Sequence, residues 1–131
     1  GGGTGAGGAG CNKSVHCVAT RAEATAAHRG GGCDVRVDHN DVDNNGRGGI
    51  NNAGLKLQIL YNRLYDIGRQ TTEAGAIYCV EADGGGTVIA YNTIFNVKTG
   101  GYGAAGNYLD AGDGNYVVHD NTISNTNTPT K

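Results

Sequence analysis

Between positions 71 and 125 this 131-residue sequence carries Glu73, Glu81, Asp83, Asp110, Asp113 and Asp120 against a single lysine, Lys98. With Tyr78 aligned to Tyr108, Asp83 falls opposite Asp113 and Val80 opposite Asp110. Stacked on adjacent layers, the two aspartates would bring their carboxylates to roughly 5 Å, the separation of nucleophile and acid in a retaining glycosidase. Two like charges that close raise one of the two pKa values, as a general acid requires. Asp before Gly is equally ordinary turn chemistry, and that reading stands beside the first. Asp110 interrupts an apolar run, and with Glu81 and Asp83 it would form an acidic patch. Such a patch suits acid–base catalysis, or Ca²⁺ held by hard oxygen ligands from Glu81, Asp83 and Asp110. The candidate catalytic residues are therefore Glu81, Asp83, Asp110 and Asp113.

The aromatic residues supply a second kind of chemistry. All of them, seven Tyr and Phe95, lie at or after Tyr61. His39, Tyr61, Tyr91 and Asp120 each stand immediately before an asparagine, and Tyr65 aligns with Phe95. An exposed stack of His and Tyr would offer a platform for the C–H faces of sugar rings. Tyrosine in strands is also commonly structural. His39, Tyr61, Tyr91 and Tyr108 are the candidates for substrate contact. His39 and His119 are offset by one position and lack metal-ligand spacing to each other. Gly84–Gly86 lacks the Lys-Ser/Thr of a phosphate loop. The four cysteines show no zinc spacing. Cys79 reads as a buried hydrophobe, and a Cys11–Cys17 or Cys17–Cys33 disulfide would staple the N-terminal part in an oxidising compartment.

An internal repeat must position these groups. VRVDHNDVDN (35–44), LQILYNRLYD (57–66), TVIAYNTIFN (87–96) and YVVHDNTISN (116–125) share one pattern of apolar, two residues, Asn, one residue, apolar. The apolar pairs are Val37/Val42, Ile59/Leu64, Ile89/Ile94 and Val118/Ile123. The asparagines are Asn40, Asn62, Asn92 and Asn121, with Asn44, Asp66, Asn96 and Asn125 closing each unit. A weaker repeat, GGIN (48–51), GAIYCV (75–80) and AGNYLD (105–110), lies between them. Short strands with Gly, Asn and Asp turns, recurring in this way, predict an all-β coil in which one unit is one turn. In a parallel coil the asparagines stack at about 4.8 Å. There an Asn tolerates left-handed or bridging backbone angles, and its amide bonds both the local backbone and the Asn above.

Residues 35–125 resemble the right-handed parallel β-helix repeat family, the architecture of pectate lyases and polygalacturonases. The carrying segments are AGAIYCVEADGGGTVIAYNTIFNV and GAAGNYLDAGDGNYVVHDNTISN, which are similar to a bacterial branch of that superfamily. The catalytic motifs of those enzymes are not evident, and Asn107 stands where the family shows an aliphatic residue. The resemblance implies a right-handed parallel β-helix of about three to four turns acting on a polysaccharide, as glycoside hydrolase or lyase. It also implies an extracellular or periplasmic location. Its lyases pair Ca²⁺ with a Lys or Arg base, for which Lys98 and Arg69 are the nearest choices. A non-catalytic solenoid is the alternative, since open coil ends invite end-to-end self-association. A fragment of a longer β-helix enzyme is a further one.

Composition bounds the rest. Twenty-five glycines without a three-residue period and one proline exclude collagen. No apolar run is long enough to span a membrane as a helix. A net charge of −2 gives no electrostatic attraction to nucleic acid. The expected organisation is a Gly/Ala-rich leader over 1–34, the coil over 35–128 and a tail over 129–131. The leader reads as flexible, as a foreign segment joined near Asp34, or as carrying a short capping helix over 14–29.

Overall fold

The computed structural model describes residues 14–15, 28–33, 36–80, 83–99, 101, 103–110 and 114–131. Its strands are β1 (Ser14–Val15), β2 (His28–Cys33), β3 (Arg36–Asp38), β4 (Asp41–Asp43), β5 (Ile50–Leu55), β6 (Gln58–Leu60) and β7 (Arg63–Ile67). They continue with β8 (Glu73–Val80), β9 (Asp83–Ala90), β10 (Thr93–Val97), β11 (Gly103–Asp110), β12 (Gly114–His119), β13 (Thr122–Thr126) and β14 (Thr128–Thr130). Every pairing is parallel. Three sheets result: β2-β5-β8-β11-β14 (sheet A), β1-β3-β6-β9-β12 (sheet B) and β4-β7-β10-β13 (sheet C). The chain visits B, C and A in turn, so each circuit is one rung of a right-handed parallel β-helix.

The repeat supplies the core directly. Val37, Ile59, Ile89 and Val118 occupy one register column of sheet B. Val42, Leu64, Ile94 and Ile123 form the matching column of sheet C. Side chains alternate across a strand, so these residues face inward while their neighbours face solvent. The inner members are at most 1% exposed, whereas Val118 and Ile123 are only half-buried. Each fully buried aliphatic contributes about 1.5–3 kcal/mol. Ile50 and Ile77 continue the core in sheet A, and Asn107 follows them in the same column. Cys79 is buried, as its apolar setting predicts.

The asparagine column is a hydrogen-bonded ladder. Asn40 donates its backbone N–H and Nδ2 to Asn62 Oδ1 at 3.0 and 2.9 Å. Asn62 does the same to Asn92 Oδ1 at 2.9 and 3.0 Å, and Asn92 to Asn121 Oδ1 at 3.0 and 3.0 Å. Each Nδ2 of Asn62, Asn92 and Asn121 also donates backward, to the carbonyl of Val37, Ile59 or Ile89. The left-handed residue at this bend is not the Asn itself, as the sequence suggested, but its predecessor: His39, Tyr61, Tyr91 and Asp120 have φ of 54, 57, 57 and 51°. That backbone reversal turns the Asn amide along the ladder, where its hydrogen bonds offset the cost of the left-handed predecessor. A second left-handed column, Asn44, Asp66, Asn96 and Asn125, kinks the strands of sheet C before the chain enters sheet A.

Among the described residues there is no helix. Both ends of the expected capping helix over 14–29 are strand instead. Ser14–Val15 pairs with β3, and His28–Cys33 pairs with Ile50–Leu55, so Gly30–Gly32 runs as edge strand where a helix stop was read. Residues 16–27, together with Cys11 and Cys17 of the expected disulfides, lie outside the described residues. No helix of the described residues is long and apolar enough to cross a membrane.

Candidate functional site on sheet A

The register Asn51–Tyr78–Tyr108 places three polar or aromatic residues side by side on the outer face of sheet A. They alternate with the inward Ile50, Ile77, Cys79 and Asn107. Asp110, at the end of β11, accepts a 2.8 Å hydrogen bond from Tyr78 Oη across the rung. Tyr108 Oη donates to Glu73 Oε1, which opens β8. Lys131 approaches the same carboxylate at 3.8 Å and lies 4.6 Å from the Tyr108 ring centroid. Arg47, Asn51, Glu73, Gly75 and Tyr78 line a cleft of about 170 Å³ beside these pairs. Asn51 Oδ1 is buried there and has no hydrogen-bond partner among the described residues.

Glu73, held by one phenol, thus shares a small cleft with a guanidinium, an unmatched amide oxygen and Tyr78, whose own hydroxyl holds Asp110 seven positions further along the β8–β11 pairing. Burial, then the hydrogen bond to Asp110 and its negative charge, push the Tyr78 pKa well above its ordinary value. Tyr78 is therefore a neutral donor throughout the physiological range. The raised folded pKa adds stability that is full below about pH 10 and falls as pH rises further. In alkaline titrations followed by circular dichroism, Tyr78→Phe is expected to flatten that part of the profile.

Gly75 sets how closely the rungs meet. A Cβ at Gly75 would lie 2.6 Å from Tyr108 Cβ. Gly75→Ala is expected to displace Tyr108 from Glu73 and to cost about 1–3 kcal/mol, read from urea unfolding of the variant.

Of the residues expected to act, Asp110 and Tyr108 belong to this face. Tyr108 is only 4% exposed and its hydroxyl is committed to Glu73, so it positions that carboxylate and presents little surface itself. Asp83 lies elsewhere, at the start of sheet B, opposite Gly114 and not Asp113. The offset between paired residues, 30 at Asp110/Val80, is already 31 at Gly114/Asp83, which displaces the alignment made from sequence. Asp83 Oδ1 accepts from Asn115 Nδ2 at 2.9 Å and Gly85 N–H at 2.8 Å, and these bonds hold its pKa below the ordinary value. This is turn chemistry. Glu81 and Asp113 lie outside the described residues. Among the described residues no three His, Cys, Asp or Glu side chains converge to hold a metal ion. Among the described residues Asp83 and Asp110 share no hydrogen-bond partner.

The histidine and tyrosines at the B–C bend form one ridge. His39 and Tyr61 stack at 5.2 Å, Tyr61 and Tyr91 at 5.1 Å, and His119 meets Tyr91 edge-on at 5.4 Å. Tyr61 and Tyr91 are 48% and 46% exposed. Because neighbouring rings cover each other's faces, the ridge offers edges and phenol hydroxyls, not the flat platform that sugar C–H faces prefer. Tyr65 and Phe95 stack at 4.9 Å beneath the Arg63 guanidinium. Arg69 and Lys98 share a different groove, of about 330 Å³, with Asp66, Asn96 and Asn125. There Arg69 donates to Asn44 Oδ1 at 2.7 Å. Neither Glu73 nor Asp110 lines that groove.

Sequence reasoning missed Glu73, Tyr78, Arg47 and Asn51 as site residues. The available signal was the Tyr78/Tyr108 alignment, which marks two phenols in one column; their carboxylate partners are 32 and 35 residues away. Comparison with protein-family models, curated proteins and solved structures gives no match, so the β-helix assignment rests on the strand register itself.

Proposed function

We propose that this chain is a carbohydrate-active β-helix protein, of the pectate-lyase-like kind, that binds a polysaccharide outside the cell across the outer face of sheet A. The observation carrying the reading is the paired arrangement Tyr78–Asp110 and Tyr108–Glu73 beside the Arg47/Asn51 cleft. Carboxylates, amides and a guanidinium on a rigid sheet match the hydroxyl-rich surface of a sugar, and a cleft with few polar groups fixed in place is the usual form of a binding site. Rigidity comes from the parallel ladder, which leaves β8 and β11 little freedom to move apart.

Cleavage is the stronger form of the same proposal. Asp110, held by the Tyr78 hydroxyl, would serve as the acid–base group. Reducing-sugar release and unsaturated-product absorbance, measured against a panel of neutral and acidic polysaccharides, separate hydrolysis from elimination. Asp110→Asn is expected to lower cleavage by about 10²–10⁴-fold, the usual worth of a general acid or base, with affinity reduced far less. Tyr78→Phe is expected to change the pH profile. Binding without cleavage would reduce the function to recognition. Absence of both across the panel would end the carbohydrate reading.

A further inference from the structure

The cleft on sheet A opens where the outer face lacks a side chain. Asn51 pairs with Tyr78, and Gly49 N–H donates to the Ala76 carbonyl at 3.1 Å, so the rungs of β5 and β8 run in step past the cleft. A Cβ at Gly75 would meet Tyr108 of the outer face, so Gly75 looks outward and leaves a gap between Glu73 and Tyr78. Arg47 and Glu73 therefore stand at one end of the opening and Asn51 and Tyr78 at the other, with Gly48 and Gly75 between them. The volume of about 170 Å³ equals that of roughly five or six waters in the liquid, room for the substituents of one sugar unit and not for a chain.

The two ends make different demands. Asn51 Oδ1 is buried and accepts no hydrogen bond among the described residues, so that end calls for a donor. The Arg47 guanidinium only donates, so the other end calls for an acceptor, while Glu73 beside it repels anions. The substituents carried by sugars meet these demands unequally. A hydroxyl can donate to Asn51, but one atom placed there reaches neither Arg47 nor the glycine floor. An ammonium suits Asn51 and Glu73 and is repelled by Arg47. A carboxylate suits Arg47, but sets its charge against Glu73 and a second acceptor against Asn51 Oδ1. An acetamido group carries an N–H donor, a carbonyl acceptor pointing the opposite way, and a methyl small enough to lie on Gly48 and Gly75.

We infer that the cleft holds the acetamido group of an N-acetylated amino sugar, with its N–H on Asn51 Oδ1, its carbonyl toward Arg47 and its methyl over Gly75. The inference rests on the carbohydrate reading of this face and names the substrate class, polysaccharides containing N-acetylhexosamine.

The test titrates the full chain with two matched series, N-acetylglucosamine, glucosamine and glucose, and N-acetylgalactosamine, galactosamine and galactose, with galacturonate as the acidic comparison. Shifts of the Asn51 side-chain amide and the Gly75 backbone amide report on the cleft. In at least one series the acetamido sugar is expected to bind about tenfold or more tightly than its amino and hydroxyl counterparts, because a site built around a substrate N–H rejects the analogue lacking it. Asn51→Ala, which removes an acceptor that holds nothing among the described residues, is expected to abolish that preference with the circular dichroism spectrum unchanged. Equal affinity across both series, tighter binding of galacturonate, or a preference that survives Asn51→Ala overturns the inference and leaves the carbohydrate reading standing. Shifts on this face from acetyl-free oligosaccharides, with none from the acetamido sugars, do the same. No shifts with any sugar or oligosaccharide end both.

Discussion

Asn92→Ala is expected to destabilise the coil by about 3–5 kcal/mol, the largest single effect predicted for a side chain outside the aliphatic core. Asn92 Oδ1 receives both the N–H and Nδ2 of Asn62, and its own Nδ2 supplies the Ile59 carbonyl and Asn121 Oδ1. Asn92 is 1% exposed and Asn62 is 2% exposed, so water cannot replace these bonds without opening the bend. A buried donor or acceptor left unmatched costs about 1–3 kcal/mol, and the truncation leaves several at once. Urea unfolding monitored by far-ultraviolet circular dichroism reads the loss as a lower midpoint. Asn125→Ala in the second, exposed column removes one bond to Asn96 in contact with water and is expected to cost under about 1 kcal/mol. A similar small loss at Asn92 would mean that the ladder does not hold the rungs.

Asn107→Leu is expected to move stability in the opposite direction, by about 1–3 kcal/mol. Asn107 occupies the column of Ile50 and Ile77, is 0% exposed, and has neither amide atom hydrogen-bonded. Desolvating an amide without partners costs about that much on protein scales. The adjoining cavity of about 280 Å³ has room for the leucine methyls. Thermal unfolding should therefore occur at a higher temperature in the variant. Destabilisation by more than about 1 kcal/mol would show that the amide is satisfied in the folded chain. The two asparagines differ in sign because one is embedded in a ladder of its own kind and the other interrupts an aliphatic column.

That contrast also explains what the sequence reveals and what it conceals. The apolar pairs Val37/Val42, Ile59/Leu64, Ile89/Ile94 and Val118/Ile123 are legible because a coil demands the same residue class at the same register on every turn. Asn40, Asn62, Asn92 and Asn121 are legible for the same reason. Tyr78 and Tyr108 align correctly in sheet A, and Asp110 stands opposite Val80 as expected. The correspondence of Asp83 with Asp113 fails because the offset between paired residues, 30 at Asp110/Val80, is 31 at Gly114/Asp83 and 29 from Tyr116/Thr87 onward, and the 29-residue spacing of Asn92 and Asn121 carries only the net change. Glu73 is invisible from sequence because its partner Tyr108 reaches back across the rung boundary, and nothing in residue spacing encodes that reach. The left-handed angle at Tyr61 and Tyr91 is equally unexpected, since a bulky residue takes it only where ring stacking and the ladder impose it.

Under the proposed function, polysaccharide binds on the outer face of sheet A. Backbone amide chemical-shift mapping of the full chain during titration with soluble oligosaccharides tests it most directly. The predicted result is a contiguous set of shifts at Asn51, Glu73, Tyr78, Tyr108 and Asp110, reduced in Asp110→Asn. Shifts confined to the His39–Tyr61–Tyr91 ridge or to the Arg69/Lys98 groove, or no shifts with any oligosaccharide, would contradict it.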